Sequence, residues 1–521
     1  MADYEEADIL ASTIRIGGLK LELEELRSNV VGAQLGEEAI STSLKAGAIG
    51  LALVFIFMCI VYLLPGFAAG LALLIYTGLV IVLLNAFDIT LTLPGIAGII
   101  LGIGMAVDAN VIIFARVREE IAAGVSVRSS LRNGFKKAMS AIVDGNVTTL
   151  IAAIVLGLKG SGSVKGFAQT LALGIVISMF TALVITRVIV FSFYAIGIRD
   201  EKFYAKKKKE TKVFNFLGKK NLCFAISIAV IAVGLITMGV QSAGGNGALN
   251  YSLEFKGGTA TNVTFNEDYD IKEIDSLIVP VVEEVTGDKN VQTQKVKDST
   301  QVIIKTTTLD LEQREALNQA LVDKFGVDES LITAENISST VSKEMRTDAI
   351  IAVIIATICM LIYIWFRFKD IRFATSAVIA LLHDVLVVLA FYAVARVSVG
   401  NTFIACMLTI VGYSINATIV IFDRIREEIH LKKRDESLAD VVNKSITNTL
   451  TRSIYTSLTT FVMVAVIYIL GVSSIKEFAS PLMVGIVCGG YSSVCITGAL
   501  WYMMKTKWKK KEVPAGGKKK K

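Results

Sequence analysis

The sequence predicts an all-α polytopic membrane bundle of two pseudo-repeats, about 11 transmembrane helices, with one small α+β ferredoxin-like extracytoplasmic domain. Three observations predict it. Hydrophobic residues fill 53% of 521 positions and mean hydropathy is +0.62, more apolar character than soluble cores require. The apolar residues gather into runs long enough to cross a bilayer, while the charged residues, 19% of the chain, lie between those runs. Two stretches 308 positions apart also carry nearly one pattern: Gly-Met-Ala-Val-Asp-Ala-Asn-Val-Ile-Ile-Phe-Ala-Arg-Val-Arg-Glu-Glu from Gly104, and Gly-Tyr-Ser-Ile-Asn-Ala-Thr-Ile-Val-Ile-Phe-Asp-Arg-Ile-Arg-Glu-Glu from Gly412. Such self-similarity marks a duplication.

Taken in order, the predicted spans are 45–64, 67–86, 93–115, 137–157, 164–195, 219–240, 347–367, 371–396, 400–423, 452–471 and 476–505. Basic residues orient them. Arg116, Arg118, Arg128, Arg132, Lys136 and Lys137 share one loop, Lys206 to Lys209 with Lys219 and Lys220 another, and Lys432 to Arg434 and the tail from Lys505 to Lys521 complete the set. The positive-inside rule makes all of these cytoplasmic, consistently with the alternation of spans. The loops near Asp88, Gly160, Ser398 and Ser473, with 241–346, then lie outside. The same parity puts residues 1–44 outside. That segment has nine acids against three bases and no apolar h-region, so it is not a signal peptide. Leu19 to Leu23 alternates like a half-buried strand, and the segment reads as the end of an extracytoplasmic domain whose beginning is absent.

Segment 241–346 reads as strand, helix, strand, strand, helix, strand. The elements are Thr259 to Phe265, Ile271 to Val285, Val291 to Val296, Gln301 to Thr306 after a turn at Lys297-Asp298, Leu311 to Phe325, and Leu331 to Ile337. That order is the split β-α-β ferredoxin-like arrangement, which carries no function by itself. A compact module hung between two spans, without a catalytic triad, suits the handling of a macromolecule better than chemistry.

The sequence argues against several chemistries. All six cysteines fall inside apolar runs, and His383 and His430 are the only histidines, so no disulfide scaffold, zinc site or histidine-based metal centre is expected. No phosphate-binding Gly-x-x-x-x-Gly-Lys-Ser/Thr loop or dinucleotide fingerprint occurs. The basic runs flank spans rather than forming a readout surface, so nucleic acid is not a partner. The expectation is a non-enzyme without cofactor or metal, working from an ion gradient or through partners.

An ionisable group at membrane depth costs at least ~2.5 kcal/mol, which makes Asp108 a functional candidate by default. The second repeat has Asn416 in its place. Asp108 lies eight residues before Arg116 and Arg452 eight after Lys444, so at 1.5 Å per residue both are expected about 12 Å inside the cytoplasmic boundary. The repeat offset maps Asp144 onto Arg452, adding Asp144 to the same layer. An arginine holds one carboxylate ionised while burial favours the neutral form of the other. Asp108 is thus expected to alternate between pairing with Arg452 and carrying a proton. A static buried pair that fixes helix register is the competing reading, and Asp144 equally fits a snorkelling or capping acid. His383 and Asp384, as helix neighbours, point about 100° apart and are expected not to face one partner; a relay role for Asp384 and structural packing weigh equally. Gly102, Gly104 and Gly412 are expected to permit close helix contact, and Gly257-Gly258 a tight bend.

These residues carry a family resemblance. The chain resembles the SecD–SecF fusion of bacterial protein export, in the resistance-nodulation-division superfamily. Residues 29–198 are similar to SecD through Val31-Gly32-Ala33-Gln34-Leu35-Gly36 and Val107-Asp108-Ala109-Asn110-Val111. Residues 213–508 are similar to SecF through Phe255-Lys256-Gly257-Gly258-Thr259, Leu382-His383-Asp384-Val385, Gly412-Tyr413-Ser414-Ile415-Asn416 and Thr451-Arg452-Ser453. The resemblance implies this division: 1–44 remnant of the SecD extracytoplasmic domain, 45–198 five SecD-like helices, 199–218 basic cytoplasmic linker, 219–240 first SecF-like helix, 241–346 SecF-like extracytoplasmic domain, 347–505 remaining SecF-like helices, 506–521 basic tail.

It further implies an auxiliary subunit of the Sec translocase in the bacterial cytoplasmic membrane, driven by protons or sodium ions. The implied partners are a SecYEG-type translocon, a SecA-type motor, a YajC-type subunit, exported unfolded polypeptide and membrane lipids. The implied ion relay uses Asp108, Arg452, Asp144, Asn416 and Asp384. Ala417 departs from the family pattern, which has a second aspartate there; Glu254 replaces an aspartate; and the first span and large domain of SecD are lacking. The rival expectations are a lipid or small-amphiphile exporter of the same superfamily and a truncated, non-transporting translocon scaffold.

Overall fold

The computed structural model describes residues 27–30, 33–160, 162–205, 212–244, 247–270, 273–288, 291–296, 299–432, 434 and 436–509. The strand expected at Leu19 to Leu23, the Val31-Gly32 pair, Lys206 to Lys209, the Lys297-Asp298 turn and the tail beyond Lys509 lie outside the described residues. Two compact units result: Met1–Gln34 with Lys256–Glu344, and Leu35–Phe255 with Met345–Lys521.

The first unit is a five-stranded sheet. Its strands are β1 (Arg27–Val30), β2 (Gly258–Thr264), β3 (Gln292–Lys295), β4 (Gln301–Thr306) and β5 (Ile332–Ile337), in the order β1-β5-β2-β4-β3, antiparallel throughout. The last four have the predicted ferredoxin-like order. Alternation along Gln301–Thr306 sends Val302 and Ile304 inward to meet Val263, Ile278, Val282, Leu317 and Leu321 in one apolar core. Helix Leu311–Phe325 starts on a capping box between Asp310 and Gln313 and stops at Gly326, as its polar start and glycine end dictate. Gly257 and Gly258 have φ of 80° and 121°, so the bend expected there is real, in a region that a side chain rarely enters.

Two boundaries differ from the sequence reading. Arg27–Val30, assigned there to a separate remnant, pairs with β5 in the register Arg27↔Ile337 to Val30↔Ala334 and covers what would be an open sheet edge. Conversely, 241–255 go with the helices. Asn250–Tyr251 pairs with Ser398–Val399, and Glu254 accepts hydrogen bonds from Asn401 N and Nδ2.

In the second unit, ten helices among the described residues are long and apolar enough to cross a membrane: α1 (Ala39–Ala86), α2 (Leu93–Ala122), α3 (Val127–Lys159), α4 (Val164–Ala195), α5 (Leu217–Ala243), α6 (Ser339–Phe368), α7 (Ile371–Ala395), α8 (Asn401–His430), α9 (Leu438–Leu470) and α10 (Ile475–Thr506). The first is two spans. At Leu63 the backbone leaves helical geometry, with φ 56° and ψ −128°, and Pro65 restarts the helix, as proline does at a first turn. The Phe55 and Phe67 rings then meet edge to face at 5.8 Å, where a straight helix would hold them about 18 Å apart. Eleven membrane segments follow, as the sequence predicts.

The duplicated pattern forms the centre of this unit. Of the most apolar stretch of α2, 89% is buried, and 89% of that of α8, against 11% for α5. Each central helix packs on the other half's following helix, α2 on α9 and α8 on α3. Glycine permits both approaches. A Cβ at Gly104 would lie 3.2 Å from Thr460 Cα, one at Gly412 3.1 Å from Thr149 Cα, and Gly102 faces the Tyr76 hydroxyl. The close contact expected at all three glycines is therefore present.

Candidate ion-relay site

Asp108 sits midway along α2 with 4% of its surface exposed. It lines a cavity of about 20 Å³ with Ile112, Tyr413, Asn416, Ala417, Val420, Arg452, Ser453 and Thr456, room for about one water. Thr459 is the hydrogen-bonding side chain beside the carboxyl, while Asp108 Oδ1 has no partner.

Arg452 lines the same cavity but does not pair with Asp108. Its Nη2 donates to Val420 O at 3.4 Å and its Nε is unpartnered; the charges nearest it are Arg116, Glu119 and Arg424. The reason is depth. With Gly104 against Thr460 in the antiparallel α2–α9 contact, the residue level with Asp108 is Thr456, and Arg452 lies opposite Ile112. It is one turn, about 6 Å, nearer the C-terminal end of α2. The expectation of a single depth, counted from Arg116 and Lys444, is corrected accordingly.

Asp144 does not line the Asp108 cavity. Its Oδ2 accepts from Arg367 Nε at 2.6 Å and its Oδ1 from the Tyr363 hydroxyl at 2.8 Å, with Ser140 Oγ at 3.3 Å. Arg367 Nη2 also comes within 3.9 Å of Asp423 Oδ1 on α8. The repeat offset places Asp144 and Arg452 at equivalent positions on α3 and α9, which are not adjacent helices, so equivalence does not bring them together. Arg367, Tyr363 and Asp423 are the residues that sequence reasoning missed. The available signals were a lone arginine in the last turn of the 347–367 run and an aspartate seven residues beyond Asn416.

The motif from Gly412 to Asn416 is resolved residue by residue. Gly412 admits Thr149, Tyr413 faces the cavity, and Ser414 Oγ donates to Asp384 Oδ2. Asn416 fills the space above Gly145, where a side chain would collide with it, and leaves its Oδ1 unpartnered.

Asp384 forms a separate node on α7. Its Oδ2 accepts from Ser414 and from Ser492 at 2.8 Å; its Oδ1 accepts from Cys488 Sγ at 3.1 Å and meets His383 Nδ1 at 2.9 Å. The expectation that His383 and Asp384 cannot share a partner is corrected, because both bend into the crevice holding Cys488. The ligand atoms of His383, Asp384 and Cys488 lie within 4.8 Å of one another, which is the spacing a metal would need. Four hydrogen-bonding contacts nonetheless satisfy the Asp384 oxygens without one.

At the C-terminal ends of α2 and α8 the repeated Arg-x-Arg-Glu-Glu residues make a two-fold ring. Arg116 meets Glu119 at 3.0 Å and Glu427 at 3.0 Å, and Arg424 meets Glu427 at 3.0 Å and Glu119 at 3.3 Å. Glu120 pairs with Lys137 at 2.6 Å and its counterpart Glu428 with Lys444 at 2.9 Å. The ring ties the two halves together below Arg452.

Comparison with known proteins identifies the architecture. Residues 15–195 and 317–507 match the family described as protein export membrane protein SecD/SecF, C-terminal. The chain is 35% identical to protein translocase subunit SecDF of Bacillus subtilis over 98% of its own length and 70% of that protein's. Against the SecDF of Thermus thermophilus it is 33% identical over 98% of its length and 68% of the relative's. The crystal structure of SecDF from Thermus thermophilus, described as a translocon-associated membrane protein, superposes with a TM-score of 0.85 at 33% identity, over 97% of this chain and 68% of that one. Two pseudo-repeated membrane halves, a small ferredoxin-like domain and a match across nearly the whole chain lead to one conclusion: this chain belongs to the SecD/SecF family of protein-export membrane proteins.

Proposed function

We propose that the chain is an auxiliary subunit of the Sec translocase that uses the proton gradient to promote late steps of polypeptide export. The observation that carries this reading is the relation of Asp108 to Arg452. They line one small cavity between α2, α8 and α9, yet among the described residues the carboxyl has no cation in pairing distance and the guanidinium no carboxylate. Thr459 is the hydrogen-bonding side chain beside a carboxyl buried without a paired cation, an environment in which the neutral, proton-holding acid is the less costly form. This is a proton-loaded arrangement; release of the proton would draw the carboxylate toward Arg452, one turn below.

On this reading the basic loops are cytoplasmic and the sheet unit extracytoplasmic, where it meets unfolded polypeptide leaving a SecYEG-type channel served by a SecA-type motor and a YajC-type subunit. Inverted membrane vesicles carrying the chain and the translocase test the coupling. An imposed proton gradient is expected to stimulate translocation of a secretory protein, and a sodium gradient alone is not. Stimulation by sodium alone would reassign the coupling ion; stimulation by neither would remove ion coupling.

A further inference from the structure

We propose that Asp423, held with Asp144 around Arg367, is the next proton station between the Asp108 cavity and the cytoplasm. The inference rests on the proton-coupled reading above and extends it to a residue outside the Asp108 cavity.

Helix α8 supplies the alignment. Asn416 and Val420 line the Asp108 cavity, and Asp423 is the next residue on that face, seven positions from Asn416, which at 100° per residue returns to within about 20°. It lies about 10 Å nearer the cytoplasmic end. The halves of the molecule share the acids between them. The first repeat has Asp108 above and Ala115 below; the second has Asn416 above and Asp423 below. Ala417 leaves α8 without an acid at the cavity itself, so Asp423 is the first that this helix presents to a departing proton.

The charges around Asp423 divide the roles. Among the described residues Arg367 is the one cation within ion-pair distance of the two carboxylates. Asp144 takes most of it, with Nε at 2.6 Å, and adds the Tyr363 hydroxyl at 2.8 Å. That set satisfies an ionised carboxylate. Asp423 has only the 3.9 Å approach of Nη2, and 21% of its side chain is exposed. The other charges facing it are Arg116 on α2 and Arg426 on its own helix. Arg116 is engaged by Glu119 and Glu427 and Arg426 is not within ion-pair distance of either acid, so one close guanidinium serves two carboxylates and the site accepts one proton. Asp423, the less bonded and more exposed acid, is the member that exchanges it with water. As the O–H bond at Asp108 breaks, a water in the cavity takes the proton; further water entering along α8 must carry it over the remaining distance of about 10 Å to Asp423, where a new O–H forms and then breaks to cytoplasmic water. No other group changes its charge.

The test is proton flux through the full-length protein in proteoliposomes, followed with an entrapped pH dye under an imposed gradient across a series of pH values. Asp423→Asn is expected to lower flux about tenfold and to flatten its pH profile, and Asp423→Glu to restore both; Asp108→Asn is expected to abolish flux. Flux and profile unchanged in Asp423→Asn, with Asp108→Asn dead, would overturn the station while leaving the Asp108 reading intact. Unchanged flux in Asp108→Asn would instead overturn that reading and the station with it. Infrared difference spectra across the same pH series, on the native chain and on Asp423→Glu, do not depend on the asparagine variant folding. A titrating carboxyl band that shifts between the two is expected, and identical spectra would overturn the proposal.

Discussion

Arg367 and Asp144 form a buried ion pair, with Nε 2.6 Å from Oδ2 and the Asp144 side chain 7% exposed. It joins α6 to α3, so an acid that repeat symmetry aligns with Arg452 is held by a different arginine. Removing one partner of a buried pair leaves the other charge uncompensated, at a cost of about 3 kcal/mol, the low end of the usual range because Arg367 is a quarter exposed. Arg367→Gln is expected to lower the thermal unfolding midpoint in detergent markedly. Arg367→Gln with Asp144→Asn should cost less than the sum of the two single changes, and simple additivity would mean that the two side chains are independent.

The glycines at the contacts between halves predict opposite outcomes for one substitution. At Gly412 a methyl group would press on Thr149 Cα from 3.1 Å, whereas nothing lies within 4 Å of a Cβ at Gly78. Gly412→Ala is expected to destabilise by about 1–3 kcal/mol through overpacking, and Gly78→Ala to stabilise by roughly 0.5–1 kcal/mol through helix propensity. Unfolding midpoints of the two variants check this. Equal shifts would show that packing between the halves does not depend on the absent side chain.

The five-stranded sheet makes a claim about Arg27–Val30. Because β1 covers β5, a chain beginning after residue 30 is expected to lose protection from hydrogen exchange along Ile332–Ile337 while retaining it along Gln301–Thr306, which lies on the other side of β2. Unchanged exchange at Ile332–Ile337 would mean that β1 adds nothing to the sheet.

How far the sequence reaches can be judged from these same residues. The strand and helix order from Gly258 to Ile337 was legible because alternation, the Asp310 cap and Gly326 are local signals. So were the spans, whose length the bilayer dictates, and the close contacts at Gly104 and Gly412, which follow from the absence of a side chain. The pairing of Arg27–Val30 with Ile332–Ile337 was not legible, since it joins segments 300 residues apart with no turn to set the register. Arg452 and Asp108 were both recognised, but their relative depth depends on which residues face each other across α2 and α9, and counting from basic residues at the boundary cannot supply that. Arg367 escaped notice because a lone arginine at the end of an apolar run is normally a boundary marker. Only the side-chain bonds of Tyr363 and Arg367 to Asp144 reveal that it turns inward.

The orientation is checked by cysteine labelling from either side of the membrane. With the six native cysteines replaced, a cysteine at Ser299 is expected to react from outside and one at Ser437 from the cytoplasm, as eleven segments and the basic loops require. Labelling of both from one side would contradict that topology.

The most direct test of the central claim is gradient-dependent stimulation of secretion in Asp108→Asn, Arg452→Ala and the double variant, each shown to insert and accumulate normally. If Asp108 carries the proton and Arg452 receives the carboxylate after release, each single change abolishes the stimulation and the double variant is no worse than either, because both act on one step. Secretion that still responds to the proton gradient in Asp108→Asn would contradict the claim and reduce the cavity between α2, α8 and α9 to a packing feature.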